Sequence, residues 1–232
     1  MLSKYVKPGD KVEVQAVERV KFADEGEKKK VYASMVSDIL SDDQLEIVMP
    51  MEKSKLILLP VNAEYDVYFY TESGLYQCFV KVIDRYKQDN QYILLLELTS
   101  NLRKFQRREY YRLGCALEMS ARPLEKEEIR AVENNDKYLV PGLPLKRSVI
   151  VDISGGGIRF VGDYCYEPDS LVCCKYNLAT DGKSKEYTLI SKILTVRELP
   201  DRPGLYEHRA QYIHIDTAER EEIIRFIFEE ER

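Results

Sequence analysis

Histidine is nearly missing from this 232-residue chain, which has only His208 and His214. Lying six apart in a strand-like segment, they could share a face. Two ligands without a third nearby make a poor metal site, so no metal is expected. The five cysteines (Cys78, Cys115, Cys165, Cys173 and Cys174) include no CxxC pair, their number is odd, and two are adjacent. That usage fits reduced, mostly buried thiols and excludes a regular disulfide framework. Long apolar runs are also lacking. Stretches such as Leu56 to Val61 and Tyr92 to Leu96 are far too short to cross a bilayer, so no membrane insertion is expected. The opening MLSKYVKPGDKVEV has no apolar signal core, which makes the cytoplasm the expected location. Positive charge is in deficit overall, with 35 Lys and Arg against 40 Asp and Glu and a net charge of −5. The composition, 44% apolar and 32% charged, is that of a folded protein rather than a disordered one.

Alternation of apolar and polar residues dominates the first hundred positions. KVEVQAVERV sets Val12, Val14 and Ala16 on one face and charges on the other. VYASMVSDIL, QLEIVMP, YDVYFYTE, YQCFVKVIDRY and YILLLEL follow, closed by turn residues such as Asp42-Asp43, Glu72-Ser73-Gly74 and Asp89-Asn90. Period-two runs separated by polar turns predict an antiparallel β domain. The patch ADEGEKKK at 23 to 30 reads as a hairpin loop. A second set of strands comes after residue 106: YYRLGCALEM, SVIVDIS, GGIRFVG, SLVCCKYNLA, EYTLISKILTVREL and YEHRAQYIHI. The charged stretch at 122 to 147 is either a long loop or a short helix. The chain ends in a helix that Asp216 can cap, with Glu219 three residues on. Ile223, Ile224, Ile227 and Phe228 form its apolar stripe, placed to cover the open end of the second sheet. The chain is therefore mainly β, with domains expected at 1–100 and 101–232.

Despite the acidic balance, RKFQRREYYR at 103 to 112 carries five cations, four of them arginine, and one acid, Glu109. Five like charges in a short run repel one another, so residues 101–107 are expected to be mobile in the free protein. The choice of arginine matters chemically. A guanidinium is a planar fork that matches phosphate oxygens, or O6 and N7 of guanine, in bidentate fashion. Downstream lies VDISGGGIRF. Strand alternation predicts Val151 and Ile153 on one face with Asp152 and Ser154 on the other. The three glycines permit positive φ and close approach of another group to the backbone. No GK[ST] follows, so this is not a Walker loop, and GGG leads into a strand, so it is not a Rossmann fingerprint.

Together, RxxxR (Arg108, Arg112) followed by DxSxxG (Asp152, Ser154, Gly157) resembles the PilZ domain, a bacterial receptor module for cyclic di-GMP. The alternating N-terminal half is similar to the companion domain of YcgR-like flagellar brake proteins, a split β-barrel. The resemblance implies a C-terminal PilZ-type antiparallel barrel and an effector that changes domain arrangement when cyclic di-GMP binds. Arg108 and Arg112 would then contact phosphate and a guanine edge. Asp152 would accept from guanine N1–H or N2–H₂, Ser154 would hydrogen-bond a phosphate or base, and Gly156 and Gly157 would keep the turn tight. Arg107 would add a third cation able to balance a second, stacked ligand. A protein partner, such as a flagellar motor component, is implied as the output, with motility or another cell-surface process under control. No cofactor or catalytic step is implied.

Two other functions compete. Split barrels also resemble flavin-binding reductases, but no convergent His, Cys and acid set suits a nucleophile or general base. The patch at 103 to 112, with Phe105, Tyr110 and Tyr111 interleaved, could also bind nucleic acid. A pI near 5.4 argues against the extended electrostatic footprint that this requires.

Overall fold

The computed structural model describes residues 2–17, 30–180 and 182–231. The hairpin expected at 23 to 30 falls, apart from Lys30, outside the described residues. The chain divides into two compact units, Met1–Arg107 and Arg108–Arg232.

The first unit is antiparallel throughout its main sheet. Its strands are β1 (Lys11–Ala16), β2 (Val31–Ile39), β3 (Gln44–Val48), β6 (Glu64–Thr71), β7 (Gly74–Gln88), β8 (Gln91–Leu98) and the short β9 (Arg103–Lys104). A small hairpin, β4 (Met51–Glu52) with β5 (Lys55–Leu56), stands apart from that sheet. The order β6-β1-β2-β3-β8-β7 closes on itself because β7 also pairs with β6. The 15-residue length of β7 makes this possible: residues 74 to 81 face β6 and residues 80 to 88 face β8. Alternation puts Val12, Val14, Val67, Phe69, Leu94 and Leu96 in the interior. The turn from β7 to β8 uses Asp89 and Asn90 at φ 45° and 67°, the left-handed pair that suits a two-residue hairpin.

Residues 101–107, the run of like charges, belong to this first unit and make several contacts with it. Arg103 and Lys104 pair with Gln77 and Tyr76 of β7, and the Phe105 amide donates to the Leu75 carbonyl at 2.8 Å. Arg103 Nε donates to Gln77 Oε1 at 2.5 Å, while the Phe105 ring stands edge-on to Tyr68 at 5.1 Å. Arg107 Nη1 donates to the Tyr70 hydroxyl at 2.6 Å and lies 3.3 Å from Glu13 Oε2. The repulsion is offset because these cations face acceptors on the barrel wall instead of one another.

In the second unit, six strands close a barrel in the order β10-β11-β12-β15-β14-β13. They are β10 (Arg112–Pro123), β11 (Lys146–Ser154), β12 (Gly157–Gly162), β13 (Leu171–Thr180), β14 (Lys183–Leu199) and β15 (Arg202–Ile213). The fold class read from the sequence holds: two β-barrels and a C-terminal helix. The two histidines do not share a face: His214 is exposed just past the end of β15. His208 is buried in β15, stacked on Phe160 at 4.7 Å, with Nε2 accepting from the Tyr166 amide at 3.2 Å. Burial pushes its pKa down to about 4, so the ring is neutral at physiological pH.

The charged stretch resolves into a helix, α1 (Lys126–Glu133), flanked by loops. Its Ile129 and Val132 join Leu124 and Ile190 in a small cluster of their own. The terminal helix α2 (Thr217–Glu230) begins as expected, with Asp216 accepting from the Glu219 amide at 2.8 Å. Its buried stripe differs from the expected one. Ile223, Phe226 and Ile227 enter the barrel core, whereas Phe228 is 55% exposed. At about 100° per residue, position 228 lies roughly 140° around the helix from Ile223 and so points away.

Candidate functional site

Strand β11 carries the polar pair of the DxSxxG motif, but its geometry departs from simple alternation. Ile150 and Ile153 are both fully buried, and the β11–β12 register shifts between Ile150 and Asp152. Val151 is the extra residue of a β-bulge. It therefore faces outward with Val149 and Arg159, lining an open groove of about 1160 Å³ on the barrel's outer wall. The expectation that Val151 and Ile153 share a face is corrected by this one inserted position. Bulges re-aim side chains, and here the bulge brings Asp152 opposite both Gly114 of β10 and Arg159 of β12. A Cβ at Gly114 would meet nothing within 4 Å, so the space on that side of Asp152 is open.

Asp152 already has a partner. Arg159 Nε donates to its Oδ2 at 2.5 Å, and Arg159 Nη1 lies 2.9 Å from Glu207 Oε2. Arg197 reaches Glu207 at 3.5 Å, completing a chain of alternating charge across four strands. The carboxylates raise the Arg159 pKa further, Asp152 first, so that guanidinium stays charged. Ser154 is buried and holds the turn: its hydroxyl donates to the Gly157 carbonyl at 3.0 Å and accepts from the Gly156 amide at 3.3 Å. Arg112 opens β10 directly across from Ser154, with its side chain exposed, and Arg108 is exposed four residues earlier.

None of the three turn glycines adopts a left-handed φ, so the conformational reason for glycine does not apply. Each is needed for space. At Gly155 a Cβ would lie 2.7 Å from the Tyr110 ring and 2.9 Å from Ile224. At Gly156 it would lie 3.1 Å from the other edge of the same ring. At Gly157 it would collide with the Ala210 carbonyl oxygen on β15. The group that comes so close to the backbone is thus an aromatic residue from within RREYYR itself.

Five of the seven residues singled out from the sequence (Arg112, Asp152, Ser154, Gly156 and Gly157) come together at one end of the second barrel. Arg108 begins the segment leading there. Arg107 belongs to the first unit, where Glu13 and Tyr70 hold it. Sequence reasoning missed Arg159, Tyr110 and Arg220. The first was visible only as part of a strand, and the others only as an aromatic beside charges and a helix surface residue.

Residues 106–229 match the family model of the PilZ domain. The chain belongs to the PilZ domain family. Residues 7–98 of this PilZ protein match a second family model, described as Flagellar protein YcgR. No curated relative matches. Among solved structures, it is similar to the inhibitor of motility MotI/DgrA of Bacillus subtilis, with a TM-score of 0.75 at 16% identity. That match covers 97% of this chain and 98% of the other. A weaker likeness, with a TM-score of 0.46 at 11% identity, links it to Escherichia coli YcgR, whose structure holds c-di-GMP; it covers 97% of this chain and 84% of that one.

Proposed function

We propose that this PilZ protein is a receptor for cyclic di-GMP that acts by binding, with no catalytic step of its own. The observation that carries this reading is the convergence of Arg112, Asp152 and Ser154 around one glycine turn, with Arg108 four residues before Arg112. Cyclic di-GMP has two phosphates and two guanines. The forked cations match the first and the Hoogsteen edges of the second, and Asp152 matches the guanine N1–H and N2–H₂ donors. The Arg159 contact engages Asp152 Oδ2, which leaves Oδ1 to accept from the ligand. Ser154 keeps acceptor capacity beyond its turn contacts.

The output we propose is motility or another cell-surface process, reached through a cytoplasmic protein partner such as a flagellar motor component. The fold shared with an inhibitor of motility supports motility as the first process to examine. Among the described residues, no helix is long and apolar enough to cross a membrane. We assign the segment 101–107 to the ligand-responsive part of the chain, alongside the domain that follows, although it folds with the first unit. A ligand that engages Arg107 would compete with Glu13 and Tyr70 for it. Binding would thereby bias the arrangement of the two units, by no more than the ligand's preference for one arrangement.

Saturating cyclic di-GMP, at about 100 times its dissociation constant, is expected to add about 2.7 kcal/mol to stability, seen as a raised melting temperature. In the same samples small-angle scattering and hydrogen exchange across residues 101 to 107 are expected to change. An unmoved melting temperature at saturating ligand rules out the receptor reading. A raised melting temperature with identical scattering and exchange rules out the rearrangement alone.

A further inference from the structure

The tyrosine pair within RREYYR does more than separate two arginines. Tyr110 lies over Gly155 and Gly156 closely enough that neither could carry a Cβ without displacing the ring. Arg220 on the first turn of α2 closes on the same ring. Its Nη1 donates to the Tyr110 hydroxyl at 2.9 Å and to the Gly155 carbonyl at 3.0 Å, and its guanidinium carbon sits 5.2 Å from the ring centroid. One residue on, the Tyr111 hydroxyl donates to the carboxylate of Glu231, just beyond the other end of α2. The two tyrosines therefore fasten the segment between Arg108 and Arg112 at two points along the helix, and at one of them to the glycine turn.

We propose that Tyr110 and Arg220 are positioning residues for the ligand site: they preorganise the arginine segment on the turn that carries Asp152 and Ser154. This rests on the cyclic di-GMP reading above. Neither side chain needs to touch the ligand. Ordering the backbone of a segment costs conformational entropy, and an anchor already made in the free protein removes that cost from the binding step. Tyr110 fixes the chain midway between the two arginines, two residues from each. Both side chains then leave a backbone that is already in place. Arg220 suits this task because one terminal nitrogen reaches a hydroxyl and a carbonyl together while the flat guanidinium lies over the ring, a contact that a compact lysine ammonium does not make. The arrangement also explains why Gly155, at an unspecified position of the DxSxxG motif, is glycine: its missing side chain is the seat for Tyr110.

The test compares wild-type protein with Arg220→Ala, Arg220→Lys, Tyr110→Phe and Gly155→Ala, using cyclic di-GMP titration and hydrogen exchange of residues 108 to 112 without ligand. Arg220→Ala is expected to weaken binding about tenfold, the scale of ordering the backbone of one residue. It should also speed exchange in the arginine segment while the barrel strands stay protected. Tyr110→Phe keeps the ring and should lose less, Arg220→Lys should recover only part, and Gly155→Ala should resemble Arg220→Ala. Wild-type binding with unchanged affinity and unchanged exchange in Arg220→Ala and Gly155→Ala overturns the positioning role and leaves the receptor reading intact. Wild-type protein that shows no binding overturns the receptor reading, and this role with it.

Discussion

Arg112→Ala is expected to weaken cyclic di-GMP binding by about 1–3 kcal/mol, the usual worth of a bidentate arginine–guanine contact. The reason is geometric: Arg112 opens β10 directly across from Ser154, so its exposed side chain stands beside the turn. Arg108→Ala should cost a comparable amount through lost phosphate contact. The two sites should differ in how lysine rescues them. A phosphate accepts a point charge, so Arg108→Lys keeps part of the affinity, whereas Arg112→Lys loses the fork that reads two base acceptors. Asp152→Ala should also impair binding, and it frees Arg159 from its closest partner. Ser154→Ala removes two turn hydrogen bonds as well as a ligand contact, so its affinity must be read alongside its melting temperature. Titration calorimetry on these variants checks the set. Equal lysine rescue at positions 108 and 112 contradicts the assigned roles.

Glu128→Ala is expected to destabilise the second unit by about 3–5 kcal/mol, because it strands a buried guanidinium. Arg122 and Glu128 form a two-armed pair at 2.7 and 2.5 Å, with side chains 7% and 0% exposed. Glu128 also accepts from the amides of Glu125 at 2.6 Å and Val140 at 2.7 Å, and Arg122 donates to the Pro123 carbonyl at 3.0 Å. The pair thus clasps both ends of α1, which explains how so charged a stretch packs at all. The Arg122 guanidinium holds the Glu128 carboxyl down to about 2, below its ordinary 4.5. The unfolded chain therefore binds more protons between those values. The clasp's stability is present above about pH 4.5 and is lost as pH falls towards 2. The double variant Arg122→Met/Glu128→Leu should be far less damaged than Glu128→Ala, since it leaves no buried charge behind. Denaturant melts decide the matter, and a Glu128→Ala loss below about 1 kcal/mol contradicts the clasp.

Most strands could be read from the sequence because alternation is a local property. KVEVQA and YILLLEL announce their buried faces without help from the rest of the chain. The bulge at Val151 was not legible, since an extra outward valine does not disturb the hydrophobic pattern that signals a strand. For the site, Arg112, Asp152 and Ser154 were legible as chemistry, with forks and acceptors suited to one ligand. Their supports were not. Arg220 meets Tyr110 across 110 residues, and nothing in the helix TAEREEIIRFIFEE distinguishes that arginine from a solvated one. Glu128 was hidden for a related reason: in a run of charges, burial of one carboxylate depends on a partner that only folding supplies. Close approach at the glycine turn was anticipated, but the approaching group was the protein's own Tyr110.

The receptor reading is tested most directly by calorimetric titration of the purified protein with cyclic di-GMP, set beside cyclic di-AMP, GTP and GMP. Saturable heat with cyclic di-GMP is expected. Cyclic di-AMP should bind far more weakly, because adenine offers an amino donor where guanine offers O6 to an arginine fork. GTP and GMP should also bind far more weakly, since each presents only one base to a site built for two. Absence of heat with cyclic di-GMP, or equal affinity for cyclic di-AMP, would contradict the account.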